Sequence, residues 1–407
     1  MHGLVTVDAQ GNTVRPAIIW CDSRAVATGE AAFRALGESH CLEHYLNAPG
    51  NFTASKLKWV KDHEPAQYKQ IRHFMLPGDY IAYRLSGEIR STLPGLSEGI
   101  LWDFKENAPA RQLLDWYGID PALIPPLAPT FGLQGQLTKP AADSLGLKPG
   151  VPITYRAGDQ PNNALALDVF DPGEVAATGG TSGVVYGVVD QFVSDPANRV
   201  NSFAHVNHAA PAPRIGVLLC INGAGIQYGW MRKHIAHEGW MYPDMETLAA
   251  TVPVGSEGLT ILPFGNGAER MLGNRNPGAK IINLDFNRHQ QAHLFRAALE
   301  GVAFAFVYGM AVLRELGIDV SVIRVGDDNL FQSAVFSHTI ANLMNCRIEM
   351  LHTTGAYGAA IASGVGIGLW PDARAGLGAL RQVKVYEPDL TSIDQYQAAY
   401  ERWAGFL

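Results

Sequence analysis

The sequence predicts an α/β protein with two related halves around a cleft, and three observations support this. The length of 407 residues suits two or three domains. Strand-like segments come first as hairpins and later alternate with helical segments, which favours sheets of mixed direction. Prolines and glycines are concentrated in residues 121–152, a composition typical of a surface stretch between larger elements. We therefore predict domains at residues 1–168 and 169–407.

Composition excludes several functional classes. The chain is 47% hydrophobic and 17% charged, with a formal net charge of -7 and no basic block, which argues against nucleic acid or an anionic membrane as partner. No apolar run approaches the roughly 18 residues of a membrane span, and no signal peptide is recognisable. The four cysteines are far apart and form no C-x-x-C, so neither a disulfide framework nor a zinc site is indicated. These features predict a cytoplasmic protein that acts on small molecules.

In the first half, residues 3–8 and 16–20 are predicted as the two strands of a hairpin. Helical patterns follow at residues 25–36, 55–65 and 76–85, and a strand is predicted at residues 153–157. Because a domain seldom opens directly on a strand, we expect further structure ahead of residue 1.

The second half begins with another predicted hairpin, whose arms are residues 175–177 and 184–189. Buried strands are predicted at residues 217–221, 260–264, 320–325 and 347–351, and helices at 287–316, 333–344 and 355–368.

Two motifs carry the chemistry. The hairpin turn Thr178-Gly179-Gly180-Thr181-Ser182-Gly183 offers amide and hydroxyl donors that suit a phosphate group. About twenty residues upstream, Gly158-Asp159-Gln160 places a carboxylate ahead of an apolar run. Asp159 is a candidate base for a group that attacks phosphorus. The alternatives are a glycine-rich turn without chemistry and an aspartate that only caps a helix.

These motifs, in this order, resemble the FGGY family of carbohydrate kinases, and most closely its xylulokinase members. The resemblance extends over essentially the whole chain. It includes the segments at residues 1–4, 18–24, 50–59, 76–80, 158–160, 178–183, 262–264 and 299–304.

The resemblance implies two ribonuclease-H-like domains of the actin-type ATPase fold that close on sugar and ATP, the first N-terminally incomplete. It implies transfer of the γ-phosphoryl group of ATP to the C5 hydroxyl of D-xylulose with Mg²⁺. Asp159 would be the general base and a metal ligand. The implied sugar contacts are Met1, His2, Trp20, Asp22 and Gln160. The implied nucleotide contacts are Gly180, Thr181, Ser182, Gly223, Gln227, Gly326 and Asn329.

Several of these residues also have a purely structural interpretation. His2 is equally consistent with a histidine in a strand. Trp20 is consistent with a packing residue, and Asp22 with a turn residue. Gly223 belongs to a run of small residues that is common at strand-to-helix junctions without a ligand.

The chain departs from the family pattern in two places. It has no match to the family's Asp-x-Gly-Thr hairpin, which cradles phosphates and positions Mg²⁺, so we expect little or no kinase turnover if these 407 residues are the whole molecule. Where the family has a Gly-Gly-Gly run beneath the adenosine, this chain has Gly326-Asp327-Asp328-Asn329, and Asn329 is a candidate replacement contact.

Two alternative functions stay open at this point. The first is a kinase for another ketose or polyol, because xylulokinases often have Asn where this chain has Gln160. The second is a sugar-binding remnant of the fold without catalysis. A nucleotide-dependent oxidoreductase is disfavoured, since no G-x-G-x-x-G lies between a strand and a helix. A homodimer is also left open.

Overall fold

The computed structural model describes residues 1–378 and 380–407 of the chain. Two compact units are present. Unit 1 comprises Met1–Phe170, Val189–Gly216 and a stretch that begins at Thr354, and unit 2 comprises Asp171–Val188, Val217–Thr353 and Leu380–Leu407. The units thus draw on segments far apart in sequence. The division into domains 1–168 and 169–407 stays a prediction, because compact units and functional domains need not share their bounds.

Unit 1 is largely helical. Its α-helices are Val26–Leu36, Glu38–His44, Thr53–His63, Pro65–Tyr68, Pro77–Ser86, Leu93–Glu98, Arg111–Tyr117, Lys139–Leu145, Asp159–Ala166, Gly355–Gly366 and Ala373–Leu377. Three antiparallel pairs of strands accompany them: Val5–Val7 with His73–Met75, Trp102–Asp103 with Ala108–Pro109, and Phe131–Gln136 with Pro152–Tyr155. The strand Asn201–Ala204 also belongs to this unit.

Unit 2 contains the long mixed sheet. From its edge the strands run in the order Gln382–Tyr386, Arg347–Leu351, Val322–Gly326, Glu174–Gly179, Gly183–Val189 and Ile215–Ile221. The strand Val322–Gly326 is parallel to both of its neighbours, Arg347–Leu351 and Glu174–Gly179. The strand Glu174–Gly179 pairs antiparallel with Gly183–Val189. Thr260–Phe264 pairs with Gly278–Ile282 beside this sheet. The helices are Gly225–His234, Tyr242–Ala249, Gln291–Glu315, Ala334–Met344 and Ile393–Ala404.

The core of unit 2 is built on the helix Gln291–Glu315. Its buried residues include Phe295, Leu299, Val302 and Phe306. By length and composition this helix is also apolar enough to cross a membrane, with a mean hydropathy of 1.5 in its most apolar window, yet 89% of that window is buried inside the protein. Burial on most sides explains why the helix is apolar around its circumference.

The second predicted hairpin is confirmed, and its turn lies at residues 179–183. The first is only partly present. Residues 16–20 do not form a strand, and a single bridge joins Ile18 to Leu4. Pro16 has no amide hydrogen to donate, which limits pairing at that end. The mixed sheet expected in the first half is also absent from the described part of unit 1, where the paired strands are short.

Candidate active site

The strand Pro152–Tyr155 leads directly to Asp159, the first residue of the helix Asp159–Ala166. A carboxylate is stabilised there because the amide end of a helix carries partial positive charge. The Asp159 side chain is 60% exposed, its Oδ1 lies 3.3 Å from the Met1 amino nitrogen, and its Oδ2 accepts a hydrogen bond from Gln160. The carboxylate is therefore accessible for proton transfer, and Met1 and Gln160 lie beside it.

His2 lies close to the same place in a left-handed conformation, with φ of 57°. Its Nδ1 is 3.1 Å from the carbonyl oxygen of Glu98, and its ring packs edge-on against Phe52 at a centroid distance of 4.6 Å. Burial lowers the pKa of His2 to about 3. The imidazole is thus neutral at physiological pH and offers a dipole without a charge.

Lys56 connects the predicted sugar contacts to one another. It is fully buried, and its Nζ donates hydrogen bonds to the carbonyl oxygens of His2, Ile19 and Trp20 at 3.0, 3.0 and 3.4 Å. Burial lowers the pKa of this ammonium group to about 8. Lys56 therefore fixes the position of the Trp20 segment, while Trp20 as a whole is 68% exposed. The sequence interpretation assigned no role to Lys56.

Asp22 has a local partner. Its carboxylate accepts hydrogen bonds from the side chain and the backbone amide of Arg24, which lower its pKa to about 2. It also caps the short 3-10 helix Ser23–Ala25. This bonding is what a turn residue makes, and a sugar contact by Asp22 stays a prediction.

A second acid lies near Asp159 and was missed in the sequence. Glu98 is only 1% exposed, and its Oε1 has no hydrogen-bond partner among the described residues. Burial raises its pKa to about 8, with Asp159 and Asp79 adding to the rise, while the Met1 ammonium and the Gly158 amide oppose it. The only signal in the sequence is an acid within the otherwise apolar or small run Leu96-Ser97-Glu98-Gly99-Ile100.

In unit 2, the glycine turn, residues 179–183, packs on the start of the helix Gly225–His234. The carbonyl oxygens of Gly180 and Thr181 accept hydrogen bonds from the amides of Gly225 and Ile226 at 2.9 and 3.1 Å. A Cβ atom at Gly225 would lie 2.3 Å from the Gly180 oxygen. Glycine is therefore required at 225 for this close approach.

A cavity of about 860 Å³ opens beside the glycine turn, within the range of ligand pockets. Tyr228 and Tyr242 are stacked at its side with ring centroids 5.7 Å apart, and the Arg232 guanidinium lies over Tyr242. Lys233 also lines it. An aromatic surface, a cation and an amide-rich turn together suit a planar, phosphorylated ligand.

The predicted nucleotide contacts divide into two groups. Gly180, Thr181 and Asn329 line the cavity. Ser182, Gly223, Gln227 and Gly326 are not among its described lining residues.

Two of these residues have structural bonds of their own. The Gly223 amide donates to the buried carboxylate of Glu269 at 2.8 Å. Asn329 joins the glycine turn to the strand end, because its Oδ1 accepts from the Gly179 amide and its Nδ2 donates to the Gly326 carbonyl. Asn329 thus supports the cavity wall in place of a glycine run. Direct contact with a nucleotide stays a prediction.

Comparison with known proteins identifies the family. The model for the FGGY family of carbohydrate kinases, N-terminal domain, matches residues 1–166. The model for the C-terminal domain of the same family matches residues 175–367. The chain belongs to the FGGY family of carbohydrate kinases. It is therefore a phosphotransferase with the two-domain, actin-like fold of that family, and a nucleotide is implied as its phosphoryl donor.

Relatives of this FGGY kinase include the xylulose kinase of Staphylococcus xylosus, 28% identical over 90% of this chain and 75% of that protein. The L-xylulose/3-keto-L-gulonate kinase of Escherichia coli is 28% identical over 87% of this chain and 70% of that protein. Among solved structures, the xylulose kinase of Rhodospirillum rubrum has a TM-score of 0.86 and 27% identity, covering 99% of this chain and 81% of that one.

The FGGY kinase was also expected to use Mg²⁺. Within the described residues, no group of three or more His, Cys, Asp or Glu side chains is arranged to hold a metal ion. Mg²⁺ in phosphoryl-transfer enzymes is commonly held by one or two carboxylates together with substrate phosphates. The accessible carboxylate of Asp159 fits that mode of binding.

The close approach at Gly225 gives a first test of the FGGY kinase site. We expect Gly225→Ala to weaken ATP binding about tenfold or more, because the added methyl group overlaps the Gly180 carbonyl and displaces the glycine turn. Titration calorimetry with ATP measures this loss.

Gly229→Ala is the matched control in the same helix, where the nearest atom to a new Cβ is the Tyr242 hydroxyl at 3.5 Å. The control variant should keep the melting temperature of the unchanged protein. Equal ATP affinity in Gly225→Ala and the unchanged protein would contradict the role given to the glycine turn.

Proposed function

We propose that this protein is an ATP-dependent ketose kinase that converts D-xylulose to D-xylulose 5-phosphate. The observation that carries the proposal is the exposed Asp159 carboxylate at the start of its helix, with the neutral His2 beside it. The names of the relatives support the choice of sugar, since they include xylulose kinases from several bacteria.

In the proposed reaction, Asp159 accepts the proton of the C5 hydroxyl group. The C5 oxygen forms a bond to the γ-phosphorus of ATP, and the bond between that phosphorus and the β,γ-bridging oxygen breaks to leave ADP. Gln160 and His2 would hold sugar hydroxyl groups, and Trp20 would cover an apolar face of the sugar. The amides and hydroxyls of the glycine turn would bind phosphate oxygens.

Mg²⁺, when bound, would neutralise charge on the phosphates, and Asp159 is the residue that we propose as its protein ligand. We also propose that the protein works in the cytoplasm, where ATP and free ketoses are available.

A panel of acceptors tests the sugar. Formation of ADP is measured with D-xylulose, L-xylulose, D-ribulose, glycerol and gluconate under the same conditions. The highest kcat/KM is expected for D-xylulose. A higher kcat/KM for another acceptor would show that D-xylulose is the wrong substrate, while the assignment as a kinase would stand. Gln160 is the residue that favours this alternative.

Binding measurements distinguish a kinase from a non-catalytic remnant. Calorimetry that detects both D-xylulose and ATP supports the kinase. Sugar binding without any ATP binding would contradict it.

A further inference from the structure

Glu98, the last residue of the helix Leu93–Glu98, is an acid that the proposed reaction does not use. It is almost completely buried, and its Oε1 lacks a partner among residues 1–378 and 380–407. A buried polar atom without a hydrogen bond costs free energy. Because Glu98 costs stability at this position, we expect its carboxyl group to have a functional role.

The Glu98 carboxyl group lies directly against Gly158. A Cβ atom at Gly158 would be 2.0 Å from Oε1 and 2.6 Å from Oε2 of Glu98. The backbone of Gly158 is ordinary, with φ of -64° and ψ of 162°, so any residue could adopt it. Glycine is needed at 158 to make room for the carboxyl group.

Gly158 is also the N-cap of the helix that begins with Asp159, and it has no side chain with which to cap that helix. The Glu98 carboxyl group packs on the Gly158 backbone from a distant part of the chain, and the Gly158 amide is among the groups that oppose the rise in the pKa of Glu98. The residue before Asp159 is therefore in direct packing contact with Glu98.

We propose that Glu98 is a positioning residue for the catalytic base. Its buried carboxyl group fixes Gly158 and thereby sets the orientation of the Asp159 carboxylate. This inference rests on the proposed role of Asp159 as the base. A displacement of the base by about 1 Å costs on the order of a hundredfold in rate, so a positioning residue of this kind acts on kcat.

Two variants of similar volume test the proposal. Glu98→Gln keeps a polar oxygen against the Gly158 backbone, and Glu98→Met fills the same space without one. We expect Glu98→Met to lower kcat for D-xylulose by about 10- to 100-fold with less than about a threefold change in KM. We expect Glu98→Gln to restore kcat to within about threefold of the unchanged protein.

Other outcomes would overturn the proposal. Equal kcat in Glu98→Met and Glu98→Gln would show that Glu98 only fills space. A rise in KM at unchanged kcat would make Glu98 a sugar contact. The melting temperature of each variant is measured alongside, and a loss of kcat that simply follows the unfolded fraction would also count against a positioning role.

Asp159→Ala, assayed in parallel, separates this inference from the proposed function. If Asp159→Ala keeps normal turnover, the assignment of Asp159 as the base is wrong. The proposed positioning role of Glu98 is then wrong as well. If Asp159→Ala loses turnover while Glu98→Met keeps it, only the inference about Glu98 is wrong.

Discussion

Replacing Asp159 by alanine should lower kcat for D-xylulose by about 10² to 10⁴-fold, the usual contribution of a general base. The affinity for the sugar should change little, because the His2 ring and the exposed Trp20 lie on other segments of unit 1. Asp159→Asn should show the same loss, since the amide keeps the shape of the side chain but cannot accept the proton. Steady-state kinetics gives kcat, and calorimetry with D-xylulose gives Kd.

The main competing explanation is that Asp159 only stabilises the start of its helix. Asp394 provides a matched control, because it is an exposed aspartate in the first turn of the helix Ile393–Ala404. Both alanine variants should lose a similar, small amount of stability through the helix dipole, about 0.3–1 kcal/mol. Only Asp159→Ala should lose turnover. Near-normal kcat in Asp159→Ala would remove the proposed base.

The second large effect is expected in unit 2, where Arg296→Met should destabilise the protein by about 3–5 kcal/mol. Arg296 and Glu300 form a buried ion pair at 2.7 Å, with side-chain exposures of 8% and 2%. Glu300 also accepts a hydrogen bond from the Gly255 amide, and Arg296 donates to the carbonyl of Val252. Without Arg296, Glu300 is left as a buried acid without a counter-ion. The change is measured as a fall in the apparent melting temperature.

The pH dependence of this loss has a definite sign. Burial raises the pKa of Glu300, and Arg296 opposes that rise, so its removal raises the pKa further. As the pH increases above the ordinary glutamate value, the unfolded chain releases its proton while the folded chain retains it. Folding stability then falls with increasing pH. The difference between Arg296→Met and the unchanged protein should therefore widen from pH 5 to pH 8.

Arg111→Met is the control for the ion pair. Arg111 and Asp115 have the same spacing of four residues, but their side chains are 72% and 56% exposed. Loss of an exposed pair costs about 0–1 kcal/mol. A melting temperature of Arg296→Met equal to that of Arg111→Met would show that the buried pair contributes nothing beyond a surface pair.

Local patterns in the sequence were sufficient for the hairpin around the glycine turn and for the position of Asp159. Both depend on residues within about a dozen positions of each other. Glycines and hydroxyls between two apolar β-branched runs define a turn, and a carboxylate before an apolar run defines a helix start. The order of such motifs along the chain was enough to predict the kinase family, which the comparisons confirm.

Local patterns failed at residues 16–20, which were predicted as a strand and have only the bridge at Ile18. Whether an extended segment becomes a strand depends on the partner that it finds. Here the ammonium group of Lys56 donates hydrogen bonds to the carbonyl oxygens of Ile19 and Trp20. The local pattern of apolar and β-branched residues does not show that a distant lysine binds the backbone carbonyl groups of this segment.

The sequence by itself determined the family, the class of reaction and the candidate base, because short motifs and their order along the chain are sufficient to predict all three. The tertiary structure alone decided that Glu98 lies against Gly158, that Lys56 holds the His2 and Trp20 segments, and that Asn329 joins the glycine turn to Gly326. The physical reason is that such contacts arise when the chain folds back on itself. The free energy of a buried charge or an unpaired carboxyl oxygen depends on neighbours that are remote in sequence.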